Sequence, residues 1–404
     1  MQAIKEFSDH FIPKSGAVPF FSSILVWGIG AGCFTAVLNN YLAEVRGVDE
    51  FQRGLLEFFR EMPGLLLVFI LALMHKKAEW KILRIGTLIS LAGVAGLLLS
   101  ADKAVITLLI MIWSTGEHIL MPVRSTIAMH VAKAGRIGES LGVVTGAMNA
   151  GNVIGSATVA AIFFAGIGWF GIADKVVLYN IVWVLICLLL FVSFLCTLFC
   201  KVDVKDVKRP RLYYNRKYGK FYVLELFYGA RKQIFITFAP YVLILNYGMD
   251  TTTMALLVGV CALVNIFCAP LIGKLTDRIG YRNIMIFDTV ILFFVCITYG
   301  YANRMFTYSV AYAVVCVNFL LDAVISTTAM ATSMYVRDIS DSAEEVTATL
   351  TTGISINHLI SILAALAGGW VWQKFGVGVL FSFSAVMALA NSAFAMLIPR
   401  KQET

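Results

Sequence analysis

Residues 273–283 read GKLTDRIGYRN, a short basic stretch punctuated by two glycines and lodged between long apolar runs. Its surroundings decide how it is read. The chain of 404 residues is 59% hydrophobic and only 14% charged, with a mean hydropathy of +0.83. Apolar runs of about 20 residues are long enough to cross a bilayer as helices. Twelve are predicted, roughly at 17–44, 54–75, 81–100, 104–131, 140–165, 176–200, 220–247, 252–275, 284–302, 306–336, 346–370 and 376–398. Lipid-facing backbone must satisfy its own hydrogen bonds, so helices rather than open sheet are expected. GKLTDRIGYRN then falls between spans eight and nine.

No cleavable leader is expected, because residues 1–16 are polar and mixed in charge. The eight cysteines lie mostly inside apolar runs, where a free thiol packs as a small hydrophobe. The net charge of +8 does not read as nucleic-acid binding, because Lys and Arg gather in alternate loops. One group is His75, Lys76, Lys77, Lys81 and Arg84; another is Lys133 and Arg136. The stretch 201–220 holds Lys201, Lys205, Lys208, Arg209, Arg211, Arg216, Lys217 and Lys220. Lys274, Arg278, Arg282, Arg400 and Lys401 complete the pattern. The positive-inside rule places both termini and this longest loop in the cytoplasm of a multi-pass plasma or inner membrane protein. Residues 201–219 become a basic linker lying on anionic lipid headgroups, between an N-terminal six-helix bundle (1–200) and a C-terminal one (220–404).

The two halves echo each other. GVDEFQRGLL at 47–56 aligns with GMDTTTMALL at 248–257; Trp27-Gly28 pairs with Tyr228-Gly229 and Phe34 with Phe235 at the same offset of 201. At an offset of 205, Glu117 matches Asp322, Met129-His130-Val131 matches Met334-Tyr335-Val336, and Asn152 matches Asn357. The expected fold is therefore an all-α membrane protein with twelve transmembrane helices in two pseudo-symmetric six-helix bundles.

With repeat and topology in place, GKLTDRIGYRN resembles the signature loop G-x-L-x-D-R-x-G-x-R of the major facilitator superfamily. Gly273, Leu275, Asp277, Arg278, Gly280 and Arg282 occupy the matching positions. Gly273 would permit close helix approach and Gly280 a tight turn. Asp277 would pair with a base or cap a helix in a gating latch. The corresponding first-half loop, LMHKKAEWKILRIG, has neither the acid nor the glycine pair. Helix five, GVVTGAMNAGNVIGS, loosely resembles the family's glycine-rich antiporter motif, with Gly146-Ala147 in place of its Gly-Pro step. The resemblance implies alternating access by rocking of the two halves around a midplane solute site.

Ionisable residues at membrane depth are costly, and so are candidates for function. Helix two places Glu57, Arg60 and Glu61 on one stripe, either a self-neutralised pair or the charged wall of an outer cavity. Helix four places Glu117, His118 and Arg124 within two turns, a structural bridge or a site. Arg124 can grip a carboxylate or phosphate at two points, and His118 can titrate near neutral pH. Helix five offers the amides of Asn149 and Asn152; helix seven offers Arg231, Lys232 and Gln233; helix eleven offers Asn357 and His358. Asp322 on helix ten is either a proton carrier or the salt-bridge partner of Arg231 or Lys232.

Function follows as a proton-coupled secondary transporter, symporter or antiporter, moving a small anionic or zwitterionic organic solute as a monomer. Glu117, His118 and Asp322 would handle the proton. No cofactor or metal is called for. A proton-coupled exporter of drugs, amphiphiles or lysolipids is the alternative. The chain contains no G-x-x-x-x-G-K-[ST] phosphate loop and no H-E-x-x-H or paired-aspartate set, which argues against direct use of ATP and against an intramembrane enzyme. A non-transporting receptor of the same fold would tolerate substitution at Arg231 and Asp322.

Overall fold

The computed structural model describes residues 11–12, 16–74, 76–133, 136–200 and 214–399, without the side chains of Ala343 and Glu344. His75, the basic residues between 201 and 211, Arg400 and Lys401 lie outside the described residues. Helices dominate, and the described residues contain no strand beyond an isolated bridge between Phe11 and Ala132.

The spans run in chain order. The N-terminal six are α1 (Ala17–Asn40), α2 (Glu50–Leu65), α3 (Glu79–Leu97), α4 (Lys103–Val131), α5 (Ile137–Gly168) and α6 (Lys175–Leu198). The C-terminal six are α7 (Gly219–Tyr247), α8 (Thr251–Ile279), α9 (Tyr281–Met305), α10 (Tyr308–Ser326), α11 (Ala343–Phe375) and α12 (Val377–Ala395). A π-helical turn, Tyr41–Val45, closes α1. After Pro63, α2 breaks at Leu66 and resumes as Leu67–Leu73. A tight turn, Thr327–Ala329, leads α10 into Met330–Ile339.

Among the described residues, ten helices are long and apolar enough to cross a membrane. The two spans outside that set are α2, which is only 16 residues long before its break, and α7, whose apolar run is interrupted by charge. Arg53, Glu57, Arg60 and Glu61 lie on α2, and Glu225, Arg231 and Lys232 on α7. Both still belong to the helical core, because their charged groups are buried against partners (below).

The described parts of Met1–Arg46, Leu66–Arg209 and Asp250–Leu263 form one compact unit; Gly47–Leu65, Pro210–Met249 and Val264–Thr404 form the other. In the first, α1 crosses α5 with backbone against backbone. A Cβ on Gly32 would stand 2.7 Å from the Asn152 Cα, and one on Gly151 would stand 2.5 Å from the Gly28 carbonyl carbon. Small residues at such crossings let helices pack by van der Waals contact where lipid supplies no hydrophobic drive. Gly142 and Gly146, on the same helix, face open space. In the second unit, α7 crosses α11 in the same manner: a Cβ on Gly229 would stand 2.9 Å from the Asn357 carbonyl oxygen. Gly28 and Gly229 thus serve the first helix of each half alike, at the spacing of the sequence repeat. There, too, α2 packs on α11, where Gly54 meets the Ala365 carbonyl and Gly369 meets the Glu50 carbonyl.

Gly280 separates α8 from α9 with φ +83°, a conformation that favours glycine. A Cβ on Gly273 would meet the Met330 sulfur at 3.6 Å, an ordinary contact, so this arrangement does not demand glycine there. Asp277 and Arg278 are exposed. Arg282 donates to the Met396 carbonyl at 2.8 Å and Lys220 to the Leu397 carbonyl at 2.6 Å, so two cations cap the end of α12.

Candidate functional site

In the first unit the candidate site grows from α4, which carries the indole of Trp113 and the guanidinium of Arg124. Trp113 stacks on Phe34 (4.3 Å) and on Trp27 (5.5 Å), both from α1. Arg124 is buried and lies 3.9 Å over the Trp27 ring. Its Nη1 donates to the Met148 sulfur of α5 at 3.4 Å, a weak acceptor. Among the described residues no carboxylate stands within ion-pair distance of it, and Glu117 acts on it only through longer-range attraction. The expected Glu117–Arg124 bridge is therefore not formed. The indole Nε1 of Trp27 is likewise buried without an acceptor. A cation and an N–H donor, stacked together and lacking an oxygen partner, make a ready receptor for a carboxylate or phosphate.

One turn away, His118 is buried and its Nδ1 lies 2.8 Å from the Ser114 carbonyl, with the Ser114 hydroxyl at 3.1 Å. That backbone bond assigns the proton to Nδ1 in the neutral ring. Asn149 and Asn152, half-buried on α5, follow Met148 in sequence, and the Asn152 backbone packs against Gly32.

In the second unit the α2 stripe resolves into a closed network. Glu57 is fully buried and accepts from Arg53 (2.7 Å), Arg60 (2.6 Å) and Gln233 of α7 (2.8 Å). Arg60 also bonds Glu61 at 2.5 Å, and Glu61 meets His358 of α11 at 2.9 Å. Gln233 passes its second bond to Thr237 at 2.8 Å, while Arg53 lies over the Tyr241 ring. Two guanidiniums thus face two carboxylates, and the assembly ties α2 to α7 and α11. Gln233 and His358, expected at a solute site, are both bonded into this network.

Deeper in that unit Arg231 is buried, with Nη2 3.8 Å from an oxygen of Asp288 on α9 and its carbon 4.8 Å above the Tyr228 ring. The same Asp288 oxygen accepts from the Thr328 hydroxyl at 2.5 Å. Sequence reasoning offered Asp322 as the salt-bridge partner of Arg231 or Lys232; the ion pair of Arg231 runs to Asp288. Glu225 accepts from Thr332 and from Asn357, both at 3.3 Å, and Lys232 acts on it electrostatically.

The residues missed by sequence reasoning are Arg53, Asp288 and Thr328. Arg53 carried a signal, four residues before Glu57 on one helical face. Asp288 stood alone in the run NIMIFDTVILFFV, a polar residue in lipid-depth sequence that rule alone would have flagged.

These features define a polytopic helical membrane protein with buried charge in both halves. A model of the Major Facilitator Superfamily matches residues 20–336 and 221–404. The chain belongs to that superfamily and is a transporter. No curated protein matches its sequence at a significant level. Among solved structures it is similar to the nucleoside transporter NupG in its D323A form, at 13% identity and TM-score 0.77, over 95% of this chain and 99% of that one. It is similar to a D-xylose-proton symporter at 12% identity and TM-score 0.71, over 96% and 98%. A bacterial homologue of the human lysosomal transporter Spinster, inward-facing and occupied, shows 14% identity and TM-score 0.69, over 95% and 96%.

Proposed function

We propose that the protein is a proton-coupled secondary transporter of a small anionic or zwitterionic organic solute, whose carboxylate or phosphate is held by Arg124 and the indole N–H of Trp27. The observation that carries this reading is the missing counter-charge. Arg124 is buried, stacked on Trp27 at 3.9 Å, and its hydrogen-bond partner among the described residues is a thioether. A buried guanidinium is costly without an anion, and a solute that brings one removes that cost. Asn149 and Asn152 supply amides for the solute's remaining polar groups.

Coupling falls to carboxyl groups at membrane depth. Asp322 carries an oxygen that is buried without a donor, a position served by a proton. Glu117 and His118, on the helix of Arg124, link the solute to the same proton economy. A structurally similar transporter is by name a proton symporter, which is in keeping with this reading. The halves 1–200 and 220–404 move in alternating access, with both termini cytoplasmic, and the segment from Gly273 to Arg282 (Asp277, Arg278 and Gly280 within it) acts as the gate.

The test is a thermal-stability screen of the purified protein at two pH values, against carboxylates, phosphates, sugars, amines and lipophilic cations. A ligand that binds only the folded state raises the melting temperature by mass action. Carboxylates or phosphates are expected to stabilise the wild type and to lose that effect in Arg124→Ala. Stabilisation by lipophilic cations or lysolipids alone would replace this reading with amphiphile export.

A further inference from the structure

Among the buried polar atoms of the second unit that have no hydrogen-bond partner are Nε of Arg231, Oδ1 of Asp288 and Oδ1 of Asp322. They come from three helices, α7, α9 and α10, and a single guanidinium serves both acids. Arg231 lies 3.8 Å from Asp288, at ion-pair rather than hydrogen-bond range. Arg231 is also the one charge that acts on Asp322. The groups facing this guanidinium are Tyr228 and Glu225 on α7, Asp288 and Cys296 on α9, and Asp322 on α10. Lys232 acts on Glu225. One cation between two buried acids leaves one acid without a counter-charge, and burial of an unpaired carboxylate is expensive.

We propose that Asp288 is a positioning residue for the coupling proton: it draws Arg231 to α9 and so leaves Asp322 as the acid that takes the proton. The Thr328 hydroxyl donates to Asp288 at 2.5 Å and holds it in place. When Asp322 gives up its proton it becomes the second claimant for Arg231, and the guanidinium turns from α9 toward α10. Proton loss is thereby converted into a change of partner between two helices, the kind of two-state element that coupling requires. The inference rests on the proton-coupled reading above and adds to it a residue on α9, outside the helices from which the sequence-based site was drawn.

The experiment reads protons without needing the solute. Wild-type protein in lipid nanodiscs is titrated across pH while the carbonyl stretch of protonated carboxylic acids is followed by infrared difference spectroscopy. A titrating band absent from Asp322→Asn belongs to Asp322. In Asp288→Asn, Arg231 is released from α9 and can turn to Asp322, and the midpoint of that band falls by about one pH unit or more, the scale on which a nearby opposite charge acts. Asp288→Glu restores the wild-type midpoint. The double variant Asp288→Asn/Arg231→Gln removes one acid and one base together, so no unpaired charge is left to prevent folding. There the midpoint rises above wild type, opposite in sign to the single variant. Unchanged midpoints in Asp288→Asn and in the double variant, or shifts of the same sign in both, overturn the role of Asp288 alone. A spectrum that Asp322→Asn leaves unaltered overturns the proton reading, and this inference with it. Neither result touches the anion site at Arg124.

Discussion

Arg124 and Arg231 are both buried arginines stacked on an aromatic ring of the first helix in their half, Trp27 and Tyr228, two positions related by the internal repeat. They differ in what balances them. Arg231 has Asp288 at 3.8 Å. Arg124 has an indole face and a sulfur. The repeat supplied the same platform twice, and the presence or absence of a carboxylate assigns each copy its work. A paired guanidinium can hold helices and change partner as an acid gains or loses its proton; an unpaired one awaits an anion. The α2 network is a third arrangement, in which Arg53, Glu57, Arg60 and Glu61 neutralise one another and the charge is structural.

That contrast can be broken first where charge is most tightly balanced. Glu57→Ala leaves Arg53 and Arg60 buried without their shared acceptor, and is expected to cost about 3–5 kcal/mol, the usual penalty for opening a buried ion pair. The check is the melting temperature and the yield of folded protein; a variant as stable as wild type would show the network to be dispensable. Arg124→Ala, by contrast, removes no carboxylate partner. It is expected to fold with near wild-type stability and to weaken binding of the stabilising anion more than tenfold. Arg124→Lys should recover little, because a lysine offers neither the planar fork nor the stacking surface.

The helix crossings give smaller effects. Gly151→Ala places a methyl 2.5 Å from backbone of α1 and should destabilise by about 1–3 kcal/mol, as overpacking does. Gly142→Ala, on the same helix with open space around it, should change stability by less than about 1 kcal/mol. Equal costs at the two positions would mean that the α1–α5 contact is not backbone against backbone. Smallest is Asp250, just before α8. Burial works to raise it, but the Thr253 amide (3.0 Å) and hydroxyl (2.9 Å) hold it below the usual carboxylate range. Its stabilisation is present above its unfolded pKa and lost as pH falls through the folded one. Asp250→Ala should cost about 1 kcal/mol at neutral pH, the usual value of a helix cap, and nothing at low pH.

Much of the fold was legible in the sequence. Apolar run length set the helices, and the offset of 201 placed Gly28 and Gly229 at equivalent crossings. Gly280 was readable because its turn needs a positive φ. The two most charged spans, α2 and α7, were legible as apolar runs at 54–75 and 220–247, although their charge sets them apart from the other ten. The site was legible as an inventory and not as a wiring diagram. Spacing along one helix predicted Arg60 with Glu57 and Glu61, because both ends of the bond lie on the same segment. It could not show that His358 would meet Glu61, that Gln233 would meet Glu57, or that Asp288 would claim Arg231. Those pairs join residues 297, 176 and 57 positions apart, the last being 288 less 231, and only the packing of helices decides them.

The central claim is that this transporter carries an anion on Arg124 at the expense of a proton gradient. Its most direct test is uptake of the stabilising anion into proteoliposomes under an imposed pH gradient, with counterflow measured in parallel. The account predicts gradient-driven accumulation in wild type, loss of both uptake and counterflow in Arg124→Ala, and loss of accumulation with counterflow retained in Asp322→Asn. Wild-type rates in Arg124→Ala, or accumulation indifferent to the pH gradient, would contradict it.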